Sequence, residues 1–433
     1  PIAPDGEERP LTLRWVGYEP VDIMQTLLDL NRAPDWESFR QALHNWTVPA
    51  QNFVYADVDG DIGYLFGGWV PVRAKGQGLV PVPGWTGEYE WTGYIPLDEL
   101  PQAHNPTTHY LATANNRVVD DGYPYFISTE WLNGYRARRI CDLLGSSDQF
   151  SIDDFKTMQM DFYWLPGKEL AGFLADLSVE EDDLKQALGV VRNWNYHLTA
   201  NSVAGAIPQV FLDRMMHNTF ADKLGDELAE AYFGKGAEPL PASTNIYLGR
   251  STVVLLNLMQ DPESPWFDQT GTDQVETRDD IMRLSLREAV DFLREKLGAD
   301  MNQWQWGKLH QVTFAHPLGV VKPLNLLFNK GPFPVGGDAD TVCAMGFLSH
   351  EPYDVKSAGV SYRQIIDLGD FSRSVAVTPP GQSGQPGSKH YGDTIDDWLN
   401  GRYHPLLWER TDIEQQGEAI LTLVPVFSSG GGA

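Results

Sequence analysis

With 433 residues, 42% of them apolar, the chain is long enough to bury one large core or two ordinary ones. Its 59 acidic against 32 basic residues leave a net charge of -27, which repels phosphate backbones and anionic lipid surfaces and excludes a nucleic-acid partner; otherwise the acidic excess keeps a large surface soluble. No apolar run comes near the roughly 18 residues that a membrane-crossing helix needs, so no membrane span is expected.

The chain opens on Pro1-Ile2-Ala3-Pro4-Asp5-Gly6, neither an initiator methionine nor a leader, so further sequence is expected ahead of it. Leu11-Thr12-Leu13-Arg14-Trp15 alternates as a half-buried strand would. Helical spacing follows over 21–31 and 35–43, with Asp35 as the cap of the second helix. The β-rich runs 52–58 and 61–66 flank Asp59-Gly60 and predict a hairpin around a two-residue turn. Its Asp57-x-Asp59-Gly60-Asp61 string is not an EF-hand loop, because the spacing differs and the twelfth position is Gly68. Aromatic, turn-rich segments at 81–87 and 90–96 read as loops packed on a sheet, and Tyr110-Leu111-Ala112-Thr113-Ala114 reads as a strand.

The middle of the chain is helical. Cys141 reads as a small buried helix residue, Ser151 with Asp154 opens one helix, 178–194 hold another, and Thr277 with Asp280 caps 281–297, which stops at Gly298. The pattern between 234 and 277 is irregular, and strand-like runs return at 360–367 and 374–378. The expected organisation is one unit over 1–433, sheet-rich to about 145, mainly helical over 146–300, sheet-rich again over 301–428, with a disordered tail at 429–433.

No Gly-x-Ser-x-Gly elbow, His-Glu-x-x-His helix or phosphate-binding Gly-Lys loop is present. The strongest constellation is Asn115-Asn116-Arg117 at a strand end, where an amide can aim N–H donors at developing oxyanion charge. Adjacent asparagines are equally ordinary turn formers, and both readings stand at this point. In the basic cluster Tyr135-Arg136-Ala137-Arg138-Arg139, one arginine is a candidate to orient a substrate or the asparagine, and the others to cap or pair. Ser383, His390 and Asp393 supply the residue types of a triad, but their crowding in one turn-rich segment favours a structural loop. His310 and His316 read as satisfied, partly buried histidines, and the separated Cys141 and Cys343 suggest neither zinc nor a disulfide.

Taken in order, Gln51-Asn52-Phe53-Val54-Tyr55-Ala56-Asp57 with Gly60-Asp61-Ile62-Gly63-Tyr64, Val82-Pro83-Gly84, Ala114-Asn115-Asn116, Gly134-Tyr135-Arg136-Ala137-Arg138-Arg139-Ile140, Gly381-Gln382-Ser383-Gly384 and Ser388-Lys389-His390-Tyr391 resemble the penicillin acylase (penicillin amidase) family. These segments span most of the chain. The resemblance implies an α+β fold, the four-layer αββα sandwich of the N-terminal nucleophile (Ntn) hydrolases with helical insertions, and identifies the chain as the greater part of a β chain. It further implies a precursor that cuts itself into α and β chains and exposes a serine. That serine's own α-amine, titrating near neutrality, serves as its base. The serine attacks an amide carbonyl, and water later releases the acid.

By position, the resemblance makes Asn115 the side-chain oxyanion donor and Arg136 an active-site arginine. It puts the serine upstream of Pro1, so this chain alone is expected to be inactive, with the α chain and the N-terminal part of the β chain as partners. The substrate implied is a small acylated amine, such as a β-lactam antibiotic, an N-acyl homoserine lactone or a related amide. Gln51 stands at the place of an apolar acyl-pocket residue, which argues against a phenylacetyl preference, and Gln51 and Asn52 are candidate substrate-binding residues. Gly78 is the candidate backbone ligand for calcium in the complete enzyme; the carboxylate expected after Asn115 falls at Ile127, with Asp120 and Asp121 earlier. A periplasmic or secreted setting also follows from the resemblance. Two other readings stand beside it: a relative that kept the fold for binding or structure, and a secreted sugar-processing hydrolase suggested by 14 Trp and many carboxylates.

Overall fold

The computed structural model describes residues 11–235, 249–347, 353–355 and 358–424. Where the sequence reading makes 1–433 one unit, the chain divides into two compact units, Pro1–Val360 and Ser361–Ala433. Both are built from helices and small antiparallel sheets of two or three strands, an α+β composition.

In the first unit, two short helices start on aspartates that satisfy an otherwise unpaired amide. Asp22 accepts from the Gln25 amide at 3.1 Å and opens α1 (Ile23–Leu30); Asp35 accepts from Ser38 at 2.8 Å and opens α2 (Trp36–Ala42). Helix α2 delivers Trp36 to a sheet of β1 (Gln51–Ala56), β2 (Ile62–Gly67) and, after the β3 (Pro71–Arg73) and β4 (Trp91–Tyr94) pair, β5 (Gln102–His104). The indole lies over Gly63, where a Cβ would stand 2.2 Å from the ring, and stacks on His104 with centroids 5.3 Å apart. Around it Leu43, Leu65, Phe66, Val70, Ile95 and Leu100 close a small core.

The β1–β2 hairpin is present, but its turn is longer than Asp59-Gly60. The strands pair only as far as Ala56↔Ile62, and residues 57–61 make the connection. The Asp57 carboxylate accepts the amides of Asp59 and Asp61, both at 3.0 Å, so a side chain folds the turn from within. Neither Leu11-Thr12-Leu13-Arg14-Trp15 nor Tyr110-Leu111-Ala112-Thr113-Ala114 joins a strand ladder. Alternation favours an extended backbone, but a strand also needs a partner edge that the local pattern does not supply.

The helical middle comprises α3 (Tyr135–Leu144), α4 (Ile152–Gln159), α5 (Leu165–Asp176), α6 (Asp182–Arg192), α7 (Val203–Leu224), α8 (Asp226–Tyr232), α9 (Ser251–Leu258) and α10 (Arg278–Leu297). Helix α7 is buried over most of its circumference, with Ile207, Val210, Phe211 and Met215 wholly buried, so it forms the centre on which α5, α6, α9 and α10 pack. The expected capping boxes at Ser151/Asp154 and Thr277/Asp280 are both formed, and α10 ends at Gly298. Asp183 at the start of α6 takes Arg287 at 2.7 Å and Arg294 at 2.6 Å from α10, which holds its carboxyl well below the usual range. Cys141 lies in α3 as expected but is half-buried, whereas Cys343 is buried; both are free.

Short strands then return as β6 (Gln311–Phe314) with β7 (Lys330–Pro334) and β8 (Met345–Gly346) with β9 (Ala358–Gly359). The second unit is a small sheet of β10 (Arg363–Ile365), β11 (Val375–Val377) and β12 (His404–Pro405), inside which Arg363 donates to the Trp398 carbonyl at 2.8 Å. The tail at 429–433 lies outside the described residues.

His310 is fully buried rather than partly so, stacked on Trp306 with centroids 4.8 Å apart. Its Nδ1 lies 2.6 Å from the Tyr353 carbonyl, which only accepts, so Nδ1 carries the proton. Burial pushes the ring down to about 4, and it is neutral near pH 7. Between an unfolded value near 6.5 and the folded value near 4, the unfolded chain binds a proton that the folded chain does not, so stability falls as pH falls through that window. The drop amounts to about 3 kcal/mol across the window. His310→Phe is expected to lower stability at pH 7 yet flatten the fall between pH 7 and 4, as measured by denaturant melts at each pH.

Candidate active site

Asn115 stands in a tight turn. The Asn116 carboxamide accepts from the Ala114 amide at 3.0 Å and donates to the Arg117 carbonyl at 2.9 Å, and Asn115 between them adopts a left-handed backbone with φ 63°. Asparagine is among the few residues that tolerate this conformation. The Asn115 carbonyl accepts from the Leu132 amide at 2.9 Å, so the chain returns beside Asn116 after an excursion through 117–131. That excursion surrounds an open pocket of about 440 Å³. Its returning end is held by Arg250, which donates to the carbonyls of Trp131 and Thr129.

From Leu132 the chain passes directly into α3. Asn133 accepts from the Tyr135 amide at 3.1 Å, and Gly134, with φ 84°, makes the turn that a side chain would strain. Arg136, in the first turn of α3, reaches back and donates from Nη2 to Asn115 Oδ1 at 2.8 Å. A guanidinium only donates, so this bond assigns the Asn115 oxygen to the arginine and turns Nδ2 away from it. Asn115 is exposed, and its Nδ2 carries no hydrogen bond among the described residues. The arrangement leaves a fixed amide donor free to meet an oxygen that gains negative charge.

Two carboxylates absent from the sequence reading lie behind this pair. Asp338 and Asp340 are 5% and 8% exposed. Asp340 Oδ1 accepts from Asn133 Nδ2 at 2.7 Å; Asp338 accepts from Gln209 of α7 at 2.8 Å and from the Asp340 amide at 2.8 Å. Burial raises both carboxyls, and repulsion from Asp340 raises Asp338 further, whereas Asn133 and the Arg136 charge hold Asp340 down. Asp340 is therefore the member that ionises first, facing the arginine. Burial pulls Arg136 below its ordinary value, and Asp340 and Asp338 push it back. The glycine pair lets this turn in close: Gly337 has φ 83°, and its amide donates to the Leu198 carbonyl at 2.7 Å. The legible signal was Gly336-Gly337-Asp338-Ala339-Asp340, two acids set between the apolar runs Pro332-Phe333-Pro334-Val335 and Val342-Cys343-Ala344-Met345.

The other candidates stand apart. Gln51 is exposed at the start of β1, and Asn52 accepts from the Tyr64 hydroxyl at 2.6 Å; no hydrogen bond joins either to Asn115 or Arg136 among the described residues. Arg73 packs against Gly78, where a Cβ would stand 2.7 Å from its guanidinium, and Asp121 pairs with Arg117 at 2.7 Å. No group of three or more His, Cys, Asp or Glu side chains able to hold a metal occurs among the described residues. In the 381–393 loop, His390 Nδ1 lies 2.6 Å from Asp393, while Ser388 and Ser383 oxygens accept backbone amides. Beyond the loop, His390 Nε2 lies 3.3 Å from Glu418, which Lys389 also meets, so both imidazole nitrogens face carboxylates and no serine lies on the imidazole among the described residues.

The match to the penicillin amidase family model covers residues 1–415, and the chain belongs to that family. An acyl-homoserine lactone acylase (QuiP) of Pseudomonas aeruginosa is 30% identical, over 96% of this chain and 51% of that protein. Penicillin acylase 2 proenzyme of Pseudomonas sp. (strain SE83) is also 30% identical, over 96% of this chain and 51% of that protein. A solved penicillin G acylase from Alcaligenes faecalis has the same Ntn-hydrolase fold, with a TM-score of 0.63 and 21% identity over 93% of this chain and 72% of that one. The chain thus spans about half the length of the relatives it matches. No helix among the described residues is long and apolar enough to cross a membrane.

Of the three arginines in the cluster, only Arg136 meets Asn115. Arg138 is exposed, and Arg139 is bidentate to Asp161, at 2.7 and 3.1 Å, and lies over the Tyr163 ring. Asp161 also accepts from the Tyr163 amide, so it is a buried joint between α3 and the start of α5. Asp161→Ala strands Arg139 and is expected to cost about 3 kcal/mol in a denaturant melt while kcat stays near wild type.

Proposed function

We propose that this chain supplies charge stabilisation to a penicillin-acylase-type amidohydrolase that cleaves the amide bond of small acylated amines. The observation that carries the reading is the 2.8 Å bond from Arg136 Nη2 to Asn115 Oδ1, which leaves an exposed Nδ2 donor on a backbone fixed at both ends. In the proposed reaction a serine hydroxyl adds to the amide carbonyl, and the carbonyl oxygen takes up negative charge as the tetrahedral intermediate forms. Asn115 Nδ2 donates to that oxygen, and the amine then leaves with a proton. Water repeats the addition on the acyl-serine and releases the acid. Arg136 never touches the substrate in this scheme; it spares Nδ2 the cost of reorienting when the charge appears.

The serine and its α-amine are proposed to come from the half of the protein that the relatives share beyond these residues, together with the α chain as partner. The relatives named for acyl-homoserine lactones and for penicillins support acylated amines as the substrate class, and polar Gln51 supports an acyl group other than phenylacetyl. Calcium is proposed only for the complete enzyme, with Gly78 contributing its carbonyl beside ligands from other segments. A periplasmic or secreted setting follows from the family.

In the matured full-length enzyme, Asn115→Ala is expected to lower kcat by about 100- to 1,000-fold with a much smaller change in KM, the signature of a donor used mainly in the transition state. Acid release from a panel of acyl amides measures it; an unchanged kcat removes Asn115 from the chemistry.

A further inference from the structure

We propose that Asp340 is a positioning residue for this reaction, acting through Asn133 and Arg136 on the direction of the Asn115 amide. The proposal rests on the reading of Asn115 as the charge-stabilising donor. Its basis is where the compensation for a buried carboxylate is drawn from. The turn around Asp340 has a backbone framework of its own: Gly337 donates to Leu198, Met345 donates to the Asp338 carbonyl, and the Thr341 hydroxyl bridges the Asp338 and Cys343 carbonyls. That framework does not use the Asp340 carboxylate. The carboxylate is directed to Asn133 Nδ2, at 2.7 Å; no direct ion pair joins it to Arg136 among the described residues, and their opposite charges attract across the gap.

Asn133 is committed on both sides. Its nitrogen serves Asp340 and its oxygen caps Tyr135, so Asp340 fixes the side chain that starts the helix turn bearing Arg136. Arg136 in turn is half-buried, which pulls its guanidinium below its ordinary value, and the negative charge behind it offsets that cost. Without the charge, the guanidinium gains by moving towards solvent, and the bond to Asn115 Oδ1 loosens. Asn115 is exposed, and its side-chain rotation is set on the oxygen side by this one bond. Asp338 has a different part: its oxygens are taken by Gln209 and the Asp340 amide, so it ties the turn to α7 rather than to the arginine.

The test is a cycle in the matured full-length enzyme with a chromogenic acyl amide that the wild type cleaves. Asp340→Asn keeps the size and an acceptor for Asn133 but removes the charge. The expected result is a roughly 10-fold fall in kcat with KM within about 2-fold, and no further fall when Asp340→Asn is added to Asn115→Ala. A kcat equal to wild type, or the same fall in both backgrounds, overturns the proposal, because a general loss of structure adds to the loss of Asn115. If Asp340→Asn does not fold, Asn133→Ser removes the hydrogen bond between Asn133 and Asp340, the other arm of the linkage, and must show the same dependence on Asn115. A crystal structure of the folded variant supplies a readout free of turnover: Arg136 is expected to have left Asn115, and an intact bond near 2.8 Å with normal kcat sinks the idea. A full kcat for Asn115→Ala alone instead brings down the parent reading, whatever Asp340 does.

Discussion

A carboxylate taken out of water needs donors or a counter-charge. The 336–341 turn takes two of them out together, and much of the first unit is arranged around that need. Gln209 is one of the buried polar residues of α7, with Asp213 and Thr219, and its amide is given to Asp338. Asn133 is given to Asp340 from the other side, at the threshold of α3. Arg136 supplies the opposite charge and passes the constraint on to Asn115. The solvent-facing end of the site is thereby anchored to a helix that is buried over most of its circumference. Hydrogen bonds in such surroundings are worth more than at the surface, and each member is correspondingly harder to replace alone.

Much of this was legible in the sequence wherever the physics is local. The caps at Asp35, Ser151 and Thr277, the stop at Gly298 and the hairpin strands each depend on residues within one turn of each other, and all are present. Leu11-Thr12-Leu13-Arg14-Trp15 shows the limit, since alternation is satisfied by an extended chain whether or not another edge arrives beside it. The hairpin turn shows a subtler one: Asp59-Gly60 suits a two-residue turn, but the Asp57 carboxylate competes for the same amides and wins.

At the site, residues adjacent in meaning are remote in the chain. Family order singled out Asn115 and Arg136, whereas spacing alone left Asn115 between an oxyanion donor and an ordinary turn former and did not say which arginine of the cluster meets it. Asp340 lies more than two hundred positions beyond Asn133. Its pairing partner cannot be guessed from periodicity, because the connection is made by the folded shape rather than by any repeat. What the local sequence did contain was a thermodynamic oddity, two acids between apolar runs, whose resolution required the rest of the fold.

The excursion through 117–131 leaves the Asn115 turn and returns to it through the Asn116–Leu132 bridge, while Arg250 grips the returning end of the loop at Thr129 and Trp131. Its two ends are pinned side by side, so lengthening or recolouring the loop changes the pocket it lines while the amide and its arginine keep their places. Such a module separates two tasks within a short stretch of chain. The loop between the pins shapes the pocket wall, and the turns on either side of it hold the amide and its arginine in place.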